Sequence, residues 1–372
     1  MIYADNAATT KLDIDAFEEM RRFLIDDYGN PSQPYSFSRD TKAALREARA
    51  SIASCINAEP EEIFFTSGGT ESDNWALKGF VKKQNRKGII ISPIEHHAII
   101  HTAEALKRDD YDVCLLDVSK EGVVLPSFLK SRISTDTAIV SVMYANNEIG
   151  SIQPVGELAK IAHEYGAVFH TDAVQAVGHV EIDVKKLDVD MLSASAHKFN
   201  GPRGIGFLYI KKGTELYPFM DGGAQEKSMR AGTENVPAIV GMAVALKKNC
   251  GVITDEKKHL TDLEDQLISG LKEADLDFIH NGADVHLPGN VSISFKNSDG
   301  EMLLHRLDLM GICISTGSAC DSKNTQVSHV IKAIDVPEEY AKGTIRVSLG
   351  RDNSADDVAN IIEALKKVLG KH

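Results

Sequence analysis

Cysteine is scarce in this chain: five in 372 residues, at positions 55, 114, 250, 313 and 320, with no Cys-x-x-Cys pair. An odd, thinly spread set makes no disulfide framework, and without paired spacing it makes no structural zinc site. It reads as a reduced, cytoplasmic protein. Long apolar runs are missing too. The longest, 236–246, falls short of the ~18 residues a membrane span needs and contains Gly241. The opening MIYADNAATT has neither a basic stretch nor an apolar core, so it does not read as a secretory signal. Positive charge is in deficit: 54 acidic against 41 basic residues give a net charge of -13, which argues against direct nucleic-acid binding. There is no internal repeat and no linker rich in Pro, Gly or Ser.

What is present is an ordinary globular composition, 43% hydrophobic and 26% charged, at a length that suggests two or three domains. Short apolar runs at 63–65, 89–91, 113–116, 138–143, 168–171, 191–196 and 205–210 predict strands. Several are apolar on both faces, as parallel strands covered by helices on both sides should be. Helical patterns at 40–56, 71–84 and 155–165 lie between them, giving the alternation of a doubly wound α/β sheet. After about 250 the texture changes to a charged helix (254–273), isolated strands (290–295, 312–315, 344–349) and a last helix. Ser354 caps that helix with Asp357 three residues on, and Gly370 stops it. The expected division is a large domain, 15–250, and a smaller α+β domain, 1–14 plus 251–372.

Three segments at predicted strand ends carry chemistry. The first is Thr66-Ser67-Gly68-Gly69-Thr70, where a strand runs through two glycines into a helix. Unpaired N–H groups and the helix dipole favour an anion there, though the same pattern fits an ordinary capped turn. The second is Asp172, ending the strand 168–171, where open α/β sheets bind ligands. It would pair with a cation or cap a helix. The third is Ser195-Ala196-His197-Lys198, leaving a buried strand. A desolvated lysine is a competent amine nucleophile for a Schiff base; alone, it is as readily a surface lysine. In this order the three supply a phosphate cradle, an acid for a pyridine nitrogen and an amine for an aldehyde, which together are the needs of pyridoxal phosphate (PLP). A fourth segment, Ser315-Thr316-Gly317-Ser318-Ala319-Cys320, sets one thiol among small residues suited to a mobile, exposed loop. Cys320 is therefore the candidate nucleophile, while Cys55, Cys114 and Cys313 sit in apolar stretches as packing residues.

Nearly end to end, the chain resembles the cysteine desulfurases of the NifS/IscS type. The matching segments are YADNAATT (3–10), YGNPS (28–32), TSGGTESDN (66–74), EHHA (95–98), NNEIG (146–150), HTDAVQAVG (170–178), SAHKFNGPRGIG (195–206), RAGTEN (230–235), STGSAC (315–320) and IRVSLGR (345–351). The resemblance implies the aminotransferase-like PLP fold type I, with a mostly parallel seven-stranded sheet in the large domain. It implies that Lys198 binds the cofactor covalently and moves protons at the substrate Cα, and that Asp172 pairs with the pyridinium. Gln175 and Asn146 would hydrogen-bond the phenolic side of the ring. His96 would stack on the ring, the family's Glu-His pattern favouring it over His97. Gly69, Thr70, Ser195 and His197 would hold the phosphate. Thr233 would reach the cofactor of the neighbouring subunit in a homodimer. Arg346, with Asn30 nearby, would clamp the carboxylate of L-cysteine.

The implied reaction turns L-cysteine into L-alanine and leaves the sulfur on Cys320 as a persulfide. The sulfur would pass to an acceptor protein, an iron–sulfur scaffold or a tRNA-thiolation protein. No resident metal is expected, only a transient iron–sulfur contact through Cys320. A selenocysteine lyase, or another class V aminotransferase-family enzyme, is the alternative on the same fold. The chain departs from the family at Gln33, Tyr35 and Ser38, where Ser, His and Gly are usual. It also ends directly after the last helix, without the longer tail by which IscS-type members contact the scaffold.

Overall fold

The computed structural model describes residues 1–316 and 327–370. All seven apolar runs predicted as strands join one sheet. Its members are β2 (Ile63–Thr66), β3 (Gly88–Ile91), β4 (Asp112–Leu115), β5 (Thr137–Ser141), β6 (Val168–Asp172), β7 (Met191–Ser195) and β8 (Gly206–Ile210), in the order β2-β8-β7-β6-β5-β3-β4. Every pairing is parallel except those of β8, which runs against both β7 and β2. Only residues 196–205 join β7 to β8, too few for the helical crossover a parallel neighbour requires.

Alternate residues of these strands face two apolar layers. On one side Ile63, Phe65, Ile90, Val140, Leu192, Phe207 and Tyr209 pack with α2 (Arg39–Cys55), α6 (Val155–Glu164) and the first half of α8 (Val236–Glu273). On the other Phe64, Ile89, Ile91, Met191 and Leu208 pack with α3 (Gly69–Val81) and α4 (His97–Arg108). Further helices are α1 (Ile14–Ile25), laid on α8, α5 (Pro126–Arg132) and the short α7 (Val184–Leu187).

A separate core lies at the other end of α8. There Leu260, Leu263, Leu267 and Leu271 meet β10 (Asn290–Phe295), β12 (Thr344–Ser348), α9 (Gly300–Leu309) and α12 (Ala355–Val368). The strands β12-β10-β9 form an antiparallel sheet with β9 (Phe278–Asn281), and β1 (Ile2–Tyr3) pairs with β11 (Ile312–Cys313). Two short helices, α10 (His329–Ala333) and α11 (Glu338–Ala341), precede β12. Ser354 and Asp357 form the expected capping box. The helix expected over 254–273 begins at Val236 and does not break at 250, because Lys247-Lys248-Asn249 continue the helical turn between two apolar stretches. By length and composition α8 would suffice to cross a membrane, but half of its apolar window is buried within the protein.

Candidate active site at the sheet's carboxyl edge

Five segments meet where the parallel strands end. Lys198 follows β7 in one tight turn, and its ammonium donates to the carbonyls of Ala7 (2.5 Å) and Ala8 (3.0 Å). The Gln175 amide donates to the same Ala7 carbonyl at 3.0 Å. Thr9 Oγ1 lies 3.2 Å from His197 Nδ1, and Thr10 binds the His197 carbonyl through both its N–H and its hydroxyl. Residues 5–13 thus run as a strap through the site, a role the sequence reading did not assign to them.

Asp172 ends β6 and is buried, one oxygen taking the Val174 N–H at 2.9 Å. Burial pushes its carboxyl up to about 6, against the pull of Lys198. Around it lies a buried polar cluster that the sequence reading also missed. His170, two residues earlier and so on the same face of β6, is 2.9 Å from Ser141 Oγ, 3.0 Å from Ser193 Oγ and 3.8 Å from Asp73. Burial holds its ring down to about 3, and raises the Asp73 carboxyl well above its ordinary value. Glu95, buried and bonded to Ser92 Oγ (2.6 Å) and the Met143 N–H (2.8 Å), is pushed up to about 8. The available signal was the spacing of two between His170 and Asp172 on a strand.

His96 caps α4: its Nδ1 accepts the Ala98 N–H at 3.1 Å, so the ring proton sits on Nε2. Burial and Lys198 hold this imidazole down to about 4. His97 instead packs its ring against His101 and His329, each 5.0 Å away. The Asn146 amide is engaged in its own turn, donating to the Ile94 carbonyl (2.8 Å) and accepting from the Glu148 and Ile149 N–H groups.

At the start of α3, Gly68 has φ +147°, and a Cβ on Gly206 would come within 2.7 Å of Gly68 Cα. The glycines let β8 and this turn touch, bringing Ser195 Oγ within 3.4 Å of where a Gly68 Cβ would stand. Gly69 is buried and Thr70 exposed at the open helix start. Desolvation, with Lys198 and Arg203 nearby, holds His197 down to about 4.

Arg346 is no solvated strand residue: it is 4% exposed, its guanidinium donating to Asp5 Oδ1 (2.7 Å) and the Asn147 carbonyl (2.8 Å), with Nε buried and unpaired. Two expected residues are not brought into this cluster. Asn30 accepts the Ser32 N–H in a turn, and Thr233 is exposed; among the described residues neither bonds to Lys198, Asp172 or Arg346. Their segments share one face, where Pro31, Ser32 and Glu234 line a common cavity with Arg49 and Glu226. Arg230 ties that segment to α3 through Glu71, at 2.8 and 3.1 Å. Cys320 lies outside the described residues; Cys55, Cys114, Cys250 and Cys313 are half-buried.

This donor set fits PLP. A buried acid whose carboxyl is pushed up by burial, an amine held on the strap at Ala7 and Ala8, and a glycine-lined helix start with two flanking hydroxyls match the ring nitrogen, aldehyde and phosphate.

Comparison with known proteins agrees. Residues 2–361 match the family model of the class-V aminotransferases. Cysteine desulfurase IscS of Methanosarcina thermophila is 45% identical over all of this chain and 92% of its own length. Cysteine desulfurase NifS of Azotobacter vinelandii is 39% identical over all of this chain and 93% of its own. A solved NifS-like protein superposes with a TM-score of 0.94 at 36% identity, covering 99% of both chains. The chain therefore belongs to the class-V aminotransferase family and, within it, to the cysteine desulfurases of the NifS/IscS type. Enzymes of this family are PLP-dependent.

Proposed function

We propose that this protein is a PLP-dependent cysteine desulfurase: L-cysteine and the Cys320 thiol give L-alanine and a Cys320 persulfide. The observation that carries this reading is the convergence of Lys198 and Gln175 on the Ala7 carbonyl beside the buried Asp172. Bound there, PLP supplies an electron sink for the pair left when the substrate Cα loses its proton. Lys198 holds the cofactor and moves that proton. Asp172 pairs with the pyridinium and keeps the ring nitrogen protonated. Gln175 and Asn146 serve the phenolic side, and Gly69, Thr70, Ser195 and His197 hold the phosphate. Of the two adjacent histidines we assign His96 to the ring face, since its Nε2 proton is not used in capping. Arg346 takes the substrate carboxylate with the Nε and Nη groups that Asp5 and Asn147 leave over, and Asn30 is assigned to substrate binding with it.

The same reading assigns Thr233 to a partner subunit's cofactor in a homodimer. The exposed apolar face of α1 (Ile14, Phe17, Leu24, Ile25) and the neighbouring Tyr28, Tyr35 and Phe37 support such an interface. Residues 15–250 and 1–14 plus 251–372 are taken as the two domains, with the break inside α8. The acceptor is an iron–sulfur scaffold or tRNA-thiolation protein of the cytoplasm. Incubation with L-cysteine and a thiol reductant should release alanine and sulfide in equal amounts. Lys198→Ala should release neither; alanine formation by that variant would overturn the assignment.

A further inference from the structure

The peptides on either side of Lys198 are held by main chain and strap. Thr10 binds the His197 carbonyl, and the Asn200 N–H donates to Thr10 Oγ1 at 2.7 Å. The Lys198 peptide itself is held from elsewhere. His179, at the end of the segment following Asp172, places its Nε2 2.8 Å from the Lys198 carbonyl oxygen. A carbonyl only accepts, so Nε2 carries the hydrogen and the ring is the donor. Gly178 makes this reach possible: it has φ +80°, and a Cβ there would meet Phe199 Cβ at 2.8 Å. The ring also lines the cavity between the two cores, with Asn200, Glu256 and Arg351. Burial outweighs the pull of Glu256 and, joined by Arg351 and Lys198, holds the imidazole below its ordinary value.

We propose that His179 is a positioning residue for Lys198: its Nε2–H, bonded to the Lys198 carbonyl, fixes the peptide from which the cofactor-bearing side chain projects. Lys198 reaches the site on a flexible four-carbon stem, so a rotated peptide displaces its amine relative to Asp172 and His96. Misplacement of a reacting group by about 1 Å is enough to cost a large factor in rate. The inference rests on the assignment of Lys198 to the cofactor.

The test compares the holoenzyme with His179→Gln, whose amide N–H reaches the place of Nε2, and with His179→Asn and His179→Leu, whose side chains cannot donate there. Borohydride trapping and peptide mapping first locate the cofactor in each protein. The pH midpoint of the visible absorption of bound PLP and steady-state kcat and KM are then measured. The Asn and Leu variants should keep the cofactor on Lys198 but move the midpoint by about half a unit or more. Their kcat should fall about tenfold, as for one lost buried hydrogen bond, with KM little changed. The Gln variant should restore both midpoint and kcat. Cofactor on Lys198 in every protein, with midpoint and kcat as in wild type for Asn and Leu, overturns the positioning role alone. A Gln variant as impaired as Asn does the same. Wild-type cofactor found on another lysine overturns the Lys198 assignment and this inference with it.

Discussion

At the residue scale, the proposed chemistry divides between groups that hold the cofactor and one that takes the sulfur. Cys320→Ala leaves Lys198, Asp172 and the glycine turn untouched. That variant should bind PLP, change its visible spectrum on adding L-cysteine, and make no alanine, with a rate loss of several orders of magnitude. Extra sulfur trapped by alkylation on Cys55, Cys114, Cys250 or Cys313 would sink the assignment. A second expectation concerns pH. His170 is held down to about 3 in the fold against about 6.5 in an unfolded chain, so the unfolded state alone takes up a proton as pH falls below 6.5. Its contribution is fully present above that pH and is lost on acidification, about 2 kcal/mol by pH 5. Glutamine cannot titrate. The thermal midpoint of His170→Gln, relative to wild type, should therefore rise steadily from pH 7.5 to 5; a constant difference would refute the argument. Lys198 and Asp172 were legible in the sequence because each ends a strong apolar run. The burial of Arg346 was not, since strand alternation says nothing of Asp5, 341 residues away, which pairs with it.

At the scale of elements, the seven strands were readable as short apolar runs, several of them apolar on both faces, a signal that needs no tertiary knowledge. Their order was not, nor the reversal of β8, which depends on the short connection from β7. The single long α8 was missed for a related reason: its middle, Lys247-Lys248-Asn249, is polar, with the two lysines exposed and Asn249 buried, and reads as a break. Element α1 carries two faces. Ala16 and Phe23 are buried, whereas Ile14, Phe17, Leu24 and Ile25 are exposed. If that face meets a second copy, Phe17→Asp combined with Leu24→Asp should shift the protein toward monomer in sedimentation velocity. Its circular dichroism should be unchanged, because neither side chain is in a core. An undiminished dimer would remove α1 from the interface.

The whole molecule is two cores threaded by one helix, with the site at the edge of the larger. A shared site in a homodimer predicts a particular complementation. When Thr233→Ala chains are mixed with Lys198→Ala chains, each heterodimer should contain one intact site and one lacking both residues, restoring activity that neither parent has. No recovery would place Thr233 in its own subunit's site. The strap of residues 5–13 has a last consequence, in the order of synthesis. Asp5 emerges from the ribosome 341 residues ahead of its partner Arg346. The long-range contacts that close the site therefore cannot form until Arg346 has been made, and contacts of such separation form slowly. Closure of the site has to wait on the synthesis of β12, and a nascent protein stalled before β12 would leave the ribosome with its lysine made and its carboxylate clamp missing.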